Sequence, residues 1–227
     1  MTFSDLFYQL WDKGLIQLGV WGTIYMTLIS TGVAYLLGLP LGVLLRVTAR
    51  DGIHPVGWLN SLVGVFVNIF RSIPFIILMV AMLPVAKILV GTSLGNKAVI
   101  VMLIIAAAPY VARMVESSLR EIKPGIIEAA QAMGTPNFTI IWKVMLPEAK
   151  PSLITGAVIS TVTILGYSAM AGTIGGTGLG QIAISYGYQR FKNDIIWVCM
   201  ILIVLIVQVI QIAGTAIAHR TDKRIRH

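Results

Sequence analysis

Long apolar segments alternate along this chain with short polar ones. No charged residue occurs in the 32 residues from 14 to 45 or in the 24 residues from 195 to 218. A helix needs only about 20 apolar residues to cross a bilayer. We therefore predict an all-α integral membrane protein with five transmembrane helices, forming one domain over residues 1–227. The predicted spans cover about residues 19–45, 56–85, 98–117, 153–171 and 195–218.

The second predicted span is too long for a straight crossing and carries an interruption. At 1.5 Å per residue it exceeds the ~30 Å thickness of the hydrocarbon core. Pro74 breaks helical hydrogen bonding, and Arg71 is the one charge placed deep inside a predicted span. We expect this span to be tilted, kinked or broken. In the first span, the spacing of Gly38 and Gly42 predicts close packing against another helix.

A polar segment at residues 123–151 separates the third and fourth spans and has the pattern of two short helices. Pro124 suits a first helical position, and Gly134 suits a left-handed residue that closes the first helix. Thr135 is then expected to cap the second helix, with the following proline at its first position. Pro147 is expected to end or kink that helix.

Three functions are considered for a pair of short helices of this kind: DNA binding, docking to a partner, and a plain connection between two spans. A DNA reader requires a soluble domain with a basic recognition helix. Here the flanking segments are of membrane length, and Lys143 is the one basic residue inside the second helix. This excludes DNA binding and leaves a docking element or a loop that merely connects two spans.

Composition supports membrane insertion and removes several classes of chemistry. The chain is 57% hydrophobic and 11% charged, with a mean hydropathy of +0.87, whereas soluble domains carry about 25% charged residues. Cys199 is the single cysteine, so no disulfide framework forms, and no cluster of metal-ligating residues or catalytic constellation is present. The glycine-rich residues 172–180 lack phosphate-binding spacing and a P-loop lysine. This chain therefore has no nucleotide-binding motif of its own, and any transport through it would draw energy from a partner or from a gradient.

The distribution of lysine and arginine predicts the topology. The loop after the first span, the region around residues 113–150 and the C-terminal tail hold eleven of these residues, and the opposite side holds five. Because cations favour the cytoplasmic side, the N-terminus is expected outside, and the C-terminus and the loop of residues 123–151 inside. An apolar stripe over residues 1–13 predicts an additional interfacial helix.

The loop of residues 123–151 also resembles the EAA loop of ABC importer permeases. The matching residues are Glu128, Ala129, Ala130, Gly134, Val144, Leu146 and Pro147. Val144 stands where that pattern has isoleucine, which keeps a β-branched apolar side chain. The resemblance implies that this loop docks in a groove of an ATPase subunit, as a helix docks in a groove.

Further segments resemble the permeases of bacterial methionine ABC importers. They are residues 68–75, residues 107–116 and residues 166–170 (GYSAM). The resemblance implies a type I importer permease in the bacterial inner membrane, built as a homodimer. It also implies two ATPase subunits, which bind ATP and magnesium, and an extracytoplasmic methionine-binding protein. No cofactor and no nucleic acid is expected in this chain.

Six residues are candidates for the transport path and its gate, by which we mean the constriction that opens and closes it. They are Arg71, Ser72, Pro74, Tyr167, Ser168 and Met170. Arg71 is either a pore cation that meets a substrate carboxylate or a structural arginine that satisfies carbonyls freed at the break. Met170 is either an adaptable gate residue or ordinary packing.

Three rival functions remain open at this point. A permease for a different amino acid would share most of these features. A gradient-driven transporter or channel would need no ATPase, although such folds usually pair broken helices in two repeats. A purely structural membrane subunit would need no docking loop. Co-purification of an ATPase separates the importer from the last two.

Overall fold

The computed structural model of the chain describes residues 11, 12 and 14–221, except for the side chains of residues 171 and 173. The described residues form helices joined by turns, without strands, as predicted. The α-helices are α1 (Leu15–Thr48), α2 (Gly57–Ser72), α3 (Phe75–Ala81), α4 (Leu83–Val90), α5 (Asn96–Arg120), α6 (Pro124–Ala132), α7 (Asn137–Thr139), α8 (Leu146–Glu148), α9 (Lys150–Met170), α10 (Leu179–Ile182) and α11 (Asn193–Thr221). Segments Ile140–Met145 and Ala183–Tyr188 are π-helical, and Ala171–Ile174 is a 3₁₀ turn.

Four of these helices, α1, α5, α9 and α11, are long and apolar enough to cross a membrane. A fifth crossing is available if α2 and α3 count as one span, because they are bent by 103° at their break. The break predicted near Pro74 is therefore present. Helix α1 has 34 residues, so it extends about 51 Å and is longer than the predicted span of residues 19–45. The predicted interfacial helix falls almost entirely outside the described residues.

The chain divides into two compact units. The first comprises Met1–Gly32, Pro74–Ala106 and Thr161–Gln211. Its core is apolar side chains from α1, α10 and α11, namely Ile16, Leu179, Ile182, Ile195, Val198 and Cys199. The backbone N–H of Leu179 donates a hydrogen bond to the Thr23 hydroxyl at 3.0 Å. The glycine-rich segment thus packs against α1 in the interior of this unit.

The second unit comprises Val33–Ile73, Ala107–Ser160 and Ile212–His227. Leu45, Val67 and Ala112 form a buried cluster that joins α1, α2 and α5. A Cβ added at Gly38 would lie 2.7 Å from the Val111 side chain, so α1 and α5 pack as closely as the glycine spacing predicts. This unit contains residues 123–151.

Candidate functional site

The first half of the loop closes as its sequence predicts. Helix α6 starts at Pro124, and Gly134 adopts the left-handed conformation with φ of 70°. The Gly134 N–H donates to the Gln131 carbonyl at 2.9 Å, and the Thr135 N–H donates to the Ala130 carbonyl at 3.2 Å. These two bonds form a Schellman motif, which satisfies carbonyls at the end of the helix. The bend is therefore fixed by the backbone.

The second half differs from the prediction at its start. Thr135 does not cap it: Pro136 occupies the cap position with an extended backbone, and no side chain caps the helix. Pro147 lies in the short helix α8, directly after the π-helical segment Ile140–Met145, and α8 ends one residue later at Glu148. The wide π turn accommodates the proline, whose ring would otherwise press on the carbonyl four residues earlier.

The motif residues divide into an exposed and a buried set. Glu128, Ala129, Gly134 and Pro147 are exposed, whereas Ala130 is buried beside Ile127 on the inner face of α6. The half-buried members are Val144 and Leu146. The loop thus presents small residues and one carboxylate outward, while its apolar positions hold the two helices together.

The motif did not reveal three large apolar side chains on the outside of the same loop. Met133, Phe138 and Trp142 are 77%, 71% and 56% exposed. The rings of Phe138 and Trp142 lie 6.1 Å apart between centroids, one helical turn apart in sequence. Adjacent exposed aromatic residues are typical of protein interfaces. The available sequence signal was this spacing of four residues at the start of the second helix.

A charge cluster lies on the last turns of α5, immediately before the loop. Glu116 is 2% exposed and forms ion pairs with Arg113 and Arg120. The Arg120 guanidinium lies 2.9 Å from a Glu116 carboxylate oxygen. Arg113 and Arg120 thus share the one buried carboxylate. Arg113 also donates to the side-chain oxygen of Asn68 at 2.7 Å, which ties α5 to α2. The end of α5, which leads into the loop, is therefore tied to the first half of the broken span by a hydrogen bond from a charged side chain.

In the first unit, the second half of the broken span contacts the end of α9. Pro74 precedes α3, and the ring of the next residue, Phe75, stacks on Tyr167 with centroids 4.6 Å apart. Ser168 is buried and donates to the Leu165 carbonyl of its own helix at 2.7 Å. Met170 ends α9 and is 44% exposed. Pro74 and Tyr167, predicted to bound one path, thus lie close together.

Arg71 and Ser72 lie at the last turn of α2. Ser72 donates to the Asn68 carbonyl of its own helix at 2.8 Å. The Arg71 side chain is exposed and makes no hydrogen bond or ion pair with any residue the structure describes. It lies one helical turn after Val67, which is buried, but is itself exposed. No bond from Arg71 to the carbonyls at the break occurs within the described residues.

The described residues offer no group of three or more histidine, cysteine, aspartate or glutamate side chains that could hold a metal ion.

A polar cavity of about 340 Å³ lies beside the loop, between the end of α5 and the start of α9. Glu121 and Glu148 line it, and a hydrogen bond of 3.0 Å joins Ser118 to Ser152 across it.

The chain is similar to known transport proteins over almost its whole length. Residues 38–227 match the family described as "Binding-protein-dependent transport system inner membrane component". The chain is 47% identical to the probable D-methionine transport system permease protein MetI of Vibrio cholerae, over 94% of this chain and 95% of that one. It is 44% identical to the methionine import system permease protein MetP of Bacillus subtilis, covering 80% and 82% of the two chains.

Solved structures agree with these sequence relationships. A chain of the inward-facing MetNI methionine ABC transporter superposes with a TM-score of 0.91 at 46% identity, covering 93% of this chain and 98% of that chain. An amino acid ABC transporter solved with histidines shares the fold alone, with a TM-score of 0.79 at 15% identity. This protein therefore belongs to the family of inner membrane components of binding-protein-dependent transport systems.

Proposed function

We propose that this chain is the permease subunit of an ATP-driven importer that carries methionine into the cytoplasm. The observation that carries the proposal is the similarity to methionine permeases, which extends over 94% of the chain at 47% identity. The chain itself performs no catalysis. Hydrolysis of ATP, with its magnesium ion, belongs to two partner ATPase subunits, and a separate extracytoplasmic protein binds methionine.

The loop of residues 123–151 is the element through which the ATPases act on this chain. Its Schellman bend makes two short helices one rigid body, and its exposed face carries Met133, Phe138 and Trp142 beside the small residue Ala129. A helix that enters a groove needs apolar anchors and close approach of its backbone. The Glu116 cluster lies on α5, the helix that leads into the loop, and Arg113 links α5 to the first half of the broken span.

Methionine passes between two copies of the chain. Six residues are candidates for lining the transport path or forming its gate. The first unit contributes Pro74, Tyr167, Ser168 and Met170, and the second unit contributes Arg71 and Ser72. The chain presents few convergent polar groups for a zwitterion, so most recognition belongs to the binding protein. The permease supplies a gate that opens and closes with the ATPases.

Uptake into proteoliposomes tests the function directly. The permease, its ATPase and the binding protein are reconstituted, and labelled methionine is added with ATP inside the vesicles. We expect uptake that requires ATP and persists when ionophores collapse ion gradients. Unlabelled methionine should compete with the labelled substrate more strongly than other amino acids do. Uptake abolished by ionophores but independent of ATP would favour a gradient-driven transporter. Competition by another amino acid alone would favour a different substrate.

Topology is tested separately by cysteine labelling at the two chain ends in a variant lacking Cys199. The distribution of cations predicts that Thr2 is labelled from outside and Asp222 only after the membrane is permeabilised. Labelling of both positions from the same side would contradict the five-span topology.

A further inference from the structure

Phe191 occupies a backbone position that glycine normally takes. Its φ is 55°, and it is the one residue other than glycine with positive φ in the described part of the chain. Its N–H donates to the Tyr188 carbonyl at 3.1 Å, and the Lys192 N–H donates to the Gly187 carbonyl at 2.8 Å. This is the same Schellman motif that Gly134 forms in the loop. The left-handed position of this motif is therefore occupied by glycine in the loop and by phenylalanine here.

The strain at Phe191 is not offset by packing within the chain. A left-handed conformation brings Cβ too close to the following carbonyl, and a bulky residue there is an outlier. Yet the Phe191 side chain is 93% exposed, more than any other large hydrophobic residue described, and its ring stacks on no described ring. Residues held in strained backbone conformations cluster at functional sites. The phenylalanine is better explained by an external contact.

The neighbours of Phe191 have the composition of a protein interface. Tyr188 is 72% exposed, and the Arg190 guanidinium lies over the Tyr186 ring at 4.6 Å from its centroid. Lys192 is exposed on the other side of Phe191. Tyrosine, phenylalanine and arginine are enriched in interfaces, and a cation–π contact holds Arg190 in place before binding.

We propose that the segment of residues 188–192 docks the extracytoplasmic binding protein, with the Phe191 ring entering an apolar depression that has an acidic rim. The proposal rests on the proposed function, since the family depends on a binding protein and the cation distribution puts this segment outside. Arg190 and Lys192 supply the charge that an acidic rim complements. A lipid anchor would gain nothing from the strained backbone, because an aromatic residue on α11 itself, such as the 58% exposed Trp197, reaches lipid without strain.

The test is the Phe191→Gly variant in the assembled permease–ATPase complex in lipid nanodiscs. Glycine relieves the strain, so the thermal unfolding temperature should stay constant or rise. The dissociation constant of the methionine-binding protein should increase at least tenfold, and its stimulation of ATPase activity should fall. Basal ATPase activity should not change. Trp197→Ala is the control, because it removes an exposed aromatic from the same region without touching residues 188–192.

The possible results separate this docking from the function on which it rests. No binding of the methionine-binding protein by the unsubstituted complex would overturn both the proposed function and the docking. Equal affinity of the unsubstituted and Phe191→Gly complexes would overturn the docking alone. Equal affinity with a lower unfolding temperature in lipid would identify Phe191 as a membrane anchor. Phe191→Asn, which tolerates the left-handed conformation, should weaken binding as Phe191→Gly does.

Discussion

Substitution of Gly134 isolates the contribution of the bend in the loop. Its φ is 70°, and a Cβ added there would meet no atom of the chain within 4 Å. The cost within the chain is therefore conformational, roughly 1–2 kcal/mol for an L residue in the left-handed region. That corresponds to about a 5- to 30-fold lower ratio of the bent form to other forms of the loop. If the ATPase binds only the bent form, its apparent affinity falls by up to that factor.

A series of variants distinguishes backbone strain from added bulk in the ATPase groove. Asparagine is larger than alanine but tolerates the left-handed conformation better, so Gly134→Asn should retain more coupling than Gly134→Ala. Gly134→Val should be the most impaired, because it is β-branched. The assay is the affinity of the permease for its ATPase together with stimulated ATPase activity and uptake. Each variant should still insert into the membrane normally.

The matched control is Gly125→Ala. Gly125 lies in α6, has no left-handed φ, and has open space around the position of a Cβ. Alanine is favoured over glycine within helices, so this change should be neutral or mildly stabilising. If Gly134→Asn lost more coupling than Gly134→Ala, the defect would be due to side-chain size in the ATPase groove and not to backbone strain. Normal uptake by Gly134→Val would refute the assignment of the bend to coupling.

Three other substitutions test the packing, the charge cluster and the path. In Gly42→Val, the new side chain would press on a carbonyl oxygen of α5 and should lower the free energy of unfolding by about 1–3 kcal/mol. The control Gly32→Ala places its methyl group in open space and should leave stability unchanged. Thermal unfolding in detergent measures both variants. Glu116→Gln should lower the free energy of unfolding by about 1–3 kcal/mol, because the buried carboxylate loses its charge. The loss stays this small because both arginine partners are partly exposed to solvent; an unchanged unfolding temperature would contradict the prediction. Met170→Cys in a Cys199→Ala background should cross-link two copies under oxidation and block uptake. Failure to cross-link, when a lipid-facing control cysteine on α11 does so, would remove Met170 from the dimer axis.

The helices were predictable because membrane insertion imposes a simple rule on composition. Uninterrupted apolar length located α1, α5, α9 and α11, and Pro74 located the break. The ends were less predictable: α1 runs from Leu15 to Thr48, beyond the predicted start at about residue 19 and into Arg46. Backbone hydrogen bonding continues a helix past its apolar part, and hydropathy does not register this.

The candidate site was predictable where residue type alone decides the backbone. Gly134 was assigned its left-handed conformation because glycine adopts it without strain. No such preference exists for Phe191, so its conformation was not predictable from its type. The bond from Arg113 to Asn68 joins residues 45 positions apart and depends on the packing of α2 against α5. Thr135 was assigned as a cap from its type, but the Schellman bonds use its backbone instead.

The π-helical segment Ile140–Met145 has a consequence for insertions and deletions in this family. A π turn holds one more residue than the α turn it replaces, and each residue of an α-helix turns the chain by about 100°. Deleting one residue there would leave every motif residue intact but restore an α-helical register, in which Pro147 presses on the carbonyl of the preceding turn. Spacing in this loop is therefore as strongly constrained as residue identity. A natural relative that lacks one residue in this segment should also lack the proline.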